Sequence, residues 1–337
     1  MIAYIARRLL LAAFTIWTIT VLAFIIIQIP EGDAVDRFLD LVIAGGMGID
    51  SEGVSEELRN YLGLDQPQYI RYLKWISSLA QGDLGRSFQW GCGYLPREEL
   101  VRDVVGDRIW TTVALTGFTI LVTWTFAIPV GIYSAVRQHS VGDYLFTLAG
   151  FTGLAVPDFL LGLVLMYLAF AYLNQSVGGL NSADFKDAPW DLARMWDFVK
   201  HLWVPAVVLG TSGTASLIRI MRNNLLDELS KPYVVTARSK GMKSWRLILK
   251  YPVRVAINPL VSTVGYLLPS LVSGSVIVSV VLSLPTLGPV LLDAINQQDV
   301  YLAGFIVLML GVLTVVGTLI SDLLLAVVDP RIKLTTQ

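Results

Sequence analysis

Long apolar runs alternate with short polar, charge-bearing segments through most of this chain, and that alternation predicts its elements. Residues 9–29 carry no charge and follow Arg7 and Arg8. At a rise of about 1.5 Å per residue, they make enough helix to cross ~30 Å of hydrocarbon. Runs at 109–136, 144–173, 205–221, 257–284 and 301–328 predict five further membrane helices. Pro129-Val130-Gly131 predicts a kink in the second, Pro157-Asp158 interrupts the third near its middle, and Pro259, Gly265, Pro269 and Gly274 weaken the fifth. A cleaved signal peptide also starts with a basic flank, but its core is shorter and ends at a small-residue site. Gln28-Ile29-Pro30-Glu31-Gly32-Asp33 lacks such a site, so the first run is expected to be a retained span. The expected fold is all-α: a polytopic integral membrane protein of about six transmembrane helices.

Composition agrees, with 55% hydrophobic and only 15% charged residues among 337, far from the balance of a soluble chain. A net charge of −1 says little about partners, because the charges are segregated. Arg7, Arg8, Arg137, Arg219, Arg222, Arg254, Arg331 and Lys333 fall on one side of the alternating spans, whereas residues 285–300 have no Lys or Arg. By the positive-inside rule both termini are expected to be cytoplasmic. Three regions follow: an N-terminal membrane helix at 1–30, an external subdomain at 31–107, and a core with five spans at 108–337. In the subdomain, residues 66–79 predict an amphipathic helix with Tyr69, Tyr72, Leu73 and Ile76 on one face. Trp75, Phe88 and Trp90 are expected at the membrane interface. The lone Cys92 excludes an internal disulfide and a cysteine metal cluster, and no metal site is expected.

The segment 226–255 breaks the apolar pattern. Between two spans it combines helix formers with Lys231, Arg238, Lys240, Lys243, Arg246 and Lys250. Pro232 suits the first position of a short helix and Gly241 its left-handed stop. Ser244 is expected to cap a second helix whose apolar residues are Trp245, Leu247, Ile248 and Leu249. The prediction is a helix-turn-helix finger at the cytoplasmic surface. Its cations could simply face anionic lipid. That reading leaves the caps unexplained, whereas docking into a groove on a cytoplasmic partner accounts for them.

No phosphate-binding glycine loop, His-Glu-x-x-His or Gly-x-Ser-x-Gly elbow occurs, and two histidines on opposite sides of the membrane make no catalytic pair. If transport here uses ATP, another subunit hydrolyses it.

Tyr233-Val234-Val235-Thr236-Ala237-Arg238-Ser239-Lys240-Gly241 resembles the coupling loop in permease subunits of binding-protein-dependent ABC importers, in the form of the dipeptide/oligopeptide/nickel branch. The resemblance extends through Arg7-Arg8-Leu9-Leu10, Gly63-Leu64-Asp65-Gln66-Pro67, Gly82-Asp83-Leu84-Gly85-Arg86-Ser87, Val156-Pro157-Asp158-Phe159, Asn258-Pro259, Leu287-Gly288, Asp322 and Asp329-Pro330-Arg331. It implies a type I ABC importer transmembrane domain that works beside a second homologous permease, two ABC ATPase subunits and an extracytoplasmic solute-binding protein. ATP and Mg would bind the ATPase partners and no cofactor this chain. Membrane lipid is the remaining partner, and nucleic acid is not expected. Tyr233, Thr236, Ala237, Arg238, Lys240, Gly241 and Met242 would contact an ATPase. Val235 stands where the wider motif has Glu, and Pro285-Thr286-Leu287-Gly288 where Pro-Gly-Leu-Gly is usual. Residues 89–99 match no motif of the family.

A carboxylate in mid-span costs ~2.5–3.5 kcal/mol, so Asp158 should face an interior. It either lines the translocation path and meets a cationic group such as a peptide N-terminus, or hydrogen-bonds backbone groups freed at Pro157. Ser270, Ser273, Ser275 and Ser279, with Gly265 and Gly274, suit packing against the second permease or lining the path. Asp322 is expected to form a structural ion pair with Arg219 or Arg222. The function implied is import of dipeptides or oligopeptides, with oligosaccharide or nickel as alternatives. An ion-coupled secondary transporter is the rival class, but such folds show internal repeats, and the two halves of this chain have no convincing one.

Overall fold

In the computed structural model the described residues are 2–29, 32–44, 51–89, 97–176, 178–185, 188–274 and 276–328. They form α1 (Ile2–Ile27), α2 (Ala34–Ala44), α3 (Ser51–Leu62), α4 (Gln68–Ala80), the antiparallel pair β1 (Arg86–Gln89) and β2 (Arg97–Leu100), α5 (Val101–Val136), α6 (Val141–Ala155) and α7 (Asp158–Leu173). A 3-10 turn at Ala183–Phe185 follows, then α8 (Leu192–Leu229), α9 (Pro232–Ser239), α10 (Ser244–Lys250), α11 (Pro252–Ala256), α12 (Asn258–Gly274), α13 (Val276–Val281), α14 (Leu287–Asn296) and α15 (Val300–Val328). The chain divides into two compact units, one of residues 5–110 and 286–312, the other of residues 1–4, 111–285 and 313–337.

Among the described residues, α1, α5, α8 and α15 are long and apolar enough to cross a membrane, and α6 with α7 makes a fifth if counted as one span. Those two meet at a bend of 105°, because Pro157 cannot extend a helix through its own position. The third predicted run is therefore sharply broken. The fifth predicted run is divided between α12 and α13, with α12 ending at Gly274, a poor helix former. The described helices thus supply four or five of the six expected spans. The predicted connection 285–300 contains helix α14, and the expected loop 174–203 gives way at Leu192 to α8.

The first unit has its core where Ile27, Val101, Val105, Leu287, Leu302 and Ile306 meet. Trp75 is not an interfacial ring as expected: it is buried beside Phe24 and Tyr72, and its ring fills the space a side chain at Gly304 would need. The buried face of α4 is therefore set by Trp75, while Tyr69 and Leu73 point outward. Phe88's side chain and Trp90 lie outside the described residues, as does Cys92. The Gly82–Ser87 motif anchors α15. Asp83 Oδ1 accepts the Gly85 amide (3.0 Å), Gly85 lies against the Tyr301 ring, and buried Ser87 donates to Asp299 Oδ2 (2.7 Å). The other oxygen of Asp299 accepts the Leu302 amide (3.0 Å), capping the helix.

The second unit is organised on α8, which approaches its neighbours closely at a glycine on one side or the other of each contact. Met221 packs over Gly131, Thr211 over Gly153 and Thr123 over Gly210. Leu217, Met221, Leu225, Ala127, Ala135, Ala256 and Leu260 form one of its cores. Gly265 likewise admits Thr318 of the same chain, which gives that glycine a use inside this subunit.

A second capping arrangement generates a pH prediction. Asp33 Oδ1 accepts the Val35 and Asp36 amides, and Arg59 of α3 reaches Asp33 (2.8 Å) and Asp36 (2.5 Å). Burial alone would raise the Asp33 pKa, but the Arg59 hydrogen bond, the amides and the Arg59 charge outweigh it and hold the carboxyl below its usual value. This contribution is complete above the unfolded carboxylate pKa of ~3.9 and is lost as pH falls through the lower folded value. Because the pair is partly exposed, it amounts to under ~1 kcal/mol. Amide protection factors in α2 and α3, corrected for the intrinsic exchange rate at each pH, should fall on acidification below about pH 4, and Asp33→Asn should remove that acid dependence.

Candidate functional site

The finger begins where α8 ends. Lys231 is extended, Pro232 opens α9, and Gly241 adopts φ +76° while its amide donates to the Arg238 carbonyl (3.0 Å). A Cβ at Gly241 would meet nothing within 4 Å, so the backbone angle alone selects glycine there. The second helix starts one residue earlier in register than expected. Lys243 occupies the cap position with no side-chain bond, and Ser244 is already helical. Val234 and Leu247 are each 1% exposed and fix the two short helices, with Pro252 and Ala256 buried behind them.

Fixing those residues inward turns the others outward. Tyr233, Thr236, Arg238, Lys240 and Gly241 are exposed, and Ala237 and Met242 are half-buried. Tyr233 donates from its hydroxyl to Glu228 Oε2 (2.6 Å), and Thr236 and Ser239 donate to carbonyls one turn back. The hydroxyls are thus partly satisfied within the finger, and what it displays is cationic and apolar. Val235 and Trp245 are 57% and 61% exposed, and neither is among the residues expected from the sequence to contact an ATPase. Of the four apolar residues read in the second helix, Trp245, Leu247, Ile248 and Leu249, only Leu247 is buried. The available signal was the brevity of that helix, which can bury only one stripe.

Asp158 is the first residue of α7, immediately after the bend, and is half-buried. Its carboxylate has no hydrogen bond or ion pair among the described residues. Around Pro157, Leu160 and Leu161 donate to the Pro157 carbonyl, and Val156 to that of Thr152. The reading in which Asp158 satisfies freed backbone is therefore not what the structure contains. Ser270 and Ser273 belong to α12, but their side chains lie outside the described residues, as does Ser275.

The expected ion pair of Asp322 with Arg219 or Arg222 is replaced. Arg222 makes two bonds to Asp143, Nε to Oδ1 (3.2 Å) and Nη2 to Oδ2 (3.1 Å), and Arg219 stacks over Phe151 at 5.1 Å. Asp143 was overlooked because it lies 79 positions away in the sequence. Locally it is recognisable as the third residue of α6, behind a serine cap: Ser140 accepts its amide, and its carboxylate accepts that of His139, just before the cap.

The described residues form a helical membrane protein with a two-helix finger, and the comparisons say which class of protein this is. Residues 127–334 match the family described as "Binding-protein-dependent transport system inner membrane component". The chain is 34% identical to the oligopeptide transport system permease protein AppB of Bacillus subtilis, across 99% of this chain and all of that one. It is 31% identical to the dipeptide transport system permease protein DppB of Escherichia coli K12, across 99% of each. A solved chain of the MetNI methionine ABC transporter shares the fold at TM-score 0.50 and 16% identity, with 69% of this chain and all of that one covered. The chain belongs to the family of inner-membrane components of binding-protein-dependent transport systems. It is a multi-pass permease subunit of an ABC importer, and ATP hydrolysis lies in partner subunits.

Asp143 is 3% exposed and Arg222 keeps partial access to solvent. Asp143→Ala strands the guanidinium and should cost roughly 2–3 kcal/mol, below the ~3–5 kcal/mol of a wholly buried pair. Thermal unfolding of the detergent-purified protein measures this, and Asp143→Asn should lose less.

Proposed function

We propose that this chain forms half of the translocation path for peptides, alongside a second homologous permease, with two ABC ATPase subunits docked on the finger at 226–255. An extracytoplasmic solute-binding protein delivers the peptide to residues 31–107 and the other external segments, while both termini and the finger lie in the cytoplasm. ATP and Mg are held by the ATPases. Closure of the ATPase pair moves the finger as a lever, and the spans alternate between outward and inward access. The observation that carries this reading is the finger itself: buried on Val234 and Leu247, stopped by Gly241, and displaying Val235, Thr236, Arg238 and Lys240. The peptide assignment is supported by relatives that match this chain from end to end and are named for oligopeptides and dipeptides. Asp158, a half-buried carboxylate in a broken span, is the residue assigned to meet a cationic group on the cargo.

Gly241→Val tests the lever. A β-branched residue at φ +76° costs about 1–2 kcal/mol, enough to shift the finger's conformational balance roughly 5- to 30-fold. Reconstituted importer carrying Gly241→Val should assemble, yet lose uptake together with the ATPase stimulation caused by loaded binding protein; wild-type coupling would rule the lever out. In the same assay Asp158→Asn should spare assembly and lower peptide uptake, and unchanged uptake would remove Asp158 from the path. A sugar or metal chelate retained by the cognate binding protein would reassign the cargo and leave the permease role intact.

A further inference from the structure

The second unit contains a groove between α6 and α8 that the transport reading does not use. It encloses a cavity of about 590 Å³, walled by Tyr144, Phe146, Phe151 and Ile218, with Arg219 and Arg222 towards one end. That end lies beside the polar turn at residues 137–140, where α6 begins. The wall continues to Gly150 and Ala215, so from Ala215 to Asn223 it follows about 12 Å of helix. The charges do not cancel. Asp143 also lines the groove, but Arg222 holds it in a two-bond pair. Arg219 is exposed, stacks on the Phe151 ring, and has no hydrogen bond or ion pair to a carboxylate among the described residues. One cation is left at the polar mouth of an apolar trough, on a protein of the inner membrane.

We propose that this groove is a binding site for an anionic phospholipid, with the phosphate on Arg219 and an acyl chain against Phe146, Phe151 and Ile218. The chemistry selects this occupant. A free phosphate would gain nothing from the apolar wall, and a neutral apolar chain would leave the guanidinium unmatched. A cationic groove between membrane helices at the headgroup level is the arrangement that recognises acidic lipid heads. The ring beneath Arg219 holds the guanidinium in place through its π face.

The assembled importer, purified in mild detergent and exchanged into phosphatidylglycerol or phosphatidylcholine, tests the site by native mass spectrometry of retained lipid. The wild type should keep phosphatidylglycerol in preference to phosphatidylcholine. Arg219→Gln should lower that preference about fivefold, the contribution of one cation at an anionic surface, while Arg219→Lys keeps most of it. Arg246→Gln, on the finger, should change nothing. The proposal is overturned by equal retention of the two lipids by wild type, by an Arg219→Gln importer with unchanged preference, or by displacement of the lipid with inorganic phosphate alone. It is also overturned if the assembled importer retains no lipid because the second permease covers the groove. Should Arg219→Gln not assemble, the wild-type preference and Arg219→Lys decide.

Discussion

Close approach of α8 to its neighbours is the constraint on which the second unit depends. Met221 over Gly131, Thr211 over Gly153 and Thr123 over Gly210 are contacts that a Cβ on the glycine would obstruct. In lipid there is little hydrophobic gain in bringing two apolar helices together, so van der Waals fit at small residues must supply the association. The same helix carries Arg222 to Asp143, joining a polar end of α8 to the cap of α6. From that end the chain continues into the finger. The helix that leads into α9 is thus packed on both α5 and α6, the connection that the proposed lever would use.

The first unit solves a different problem, ordering a polar excursion around membrane helices. Its answer is a set of caps and one large ring. Asp299 caps α15 while holding Ser87, Asp33 caps α2 while holding Arg59, and Trp75 fills the space left by Gly304. The Gly82–Ser87 motif thus has a structural role here: it ties the β1 strand to the start of α15.

Much of this was legible in the sequence, and the limits have physical causes. The long spans, the Pro232 start and the Gly241 stop follow from local rules about hydrocarbon thickness, missing amides and positive φ, and the structure has all three. The 105° bend was read only as an interruption, because a proline fixes where a helix breaks but not the angle between its halves. The partners of Arg222 and Trp75 were misassigned because side-chain pairing depends on which helices become neighbours, and no local pattern encodes that. Asp322 and Asp143 are equally plausible on charge, and only packing of α6 on α8 decides between them. In the finger, the buried pair Val234 and Leu247 was invisible to composition but determines which residues face outward.

The central claim is that this outward face contacts an ATPase. Photo-cross-linking from a photoreactive residue in place of Val235, in membranes containing the whole importer, tests it most directly. The account predicts an adduct with the mass of this chain plus one ATPase subunit, with a yield that changes on adding ATP. Adducts to lipid alone, with no ATPase adduct in either nucleotide state, would contradict it.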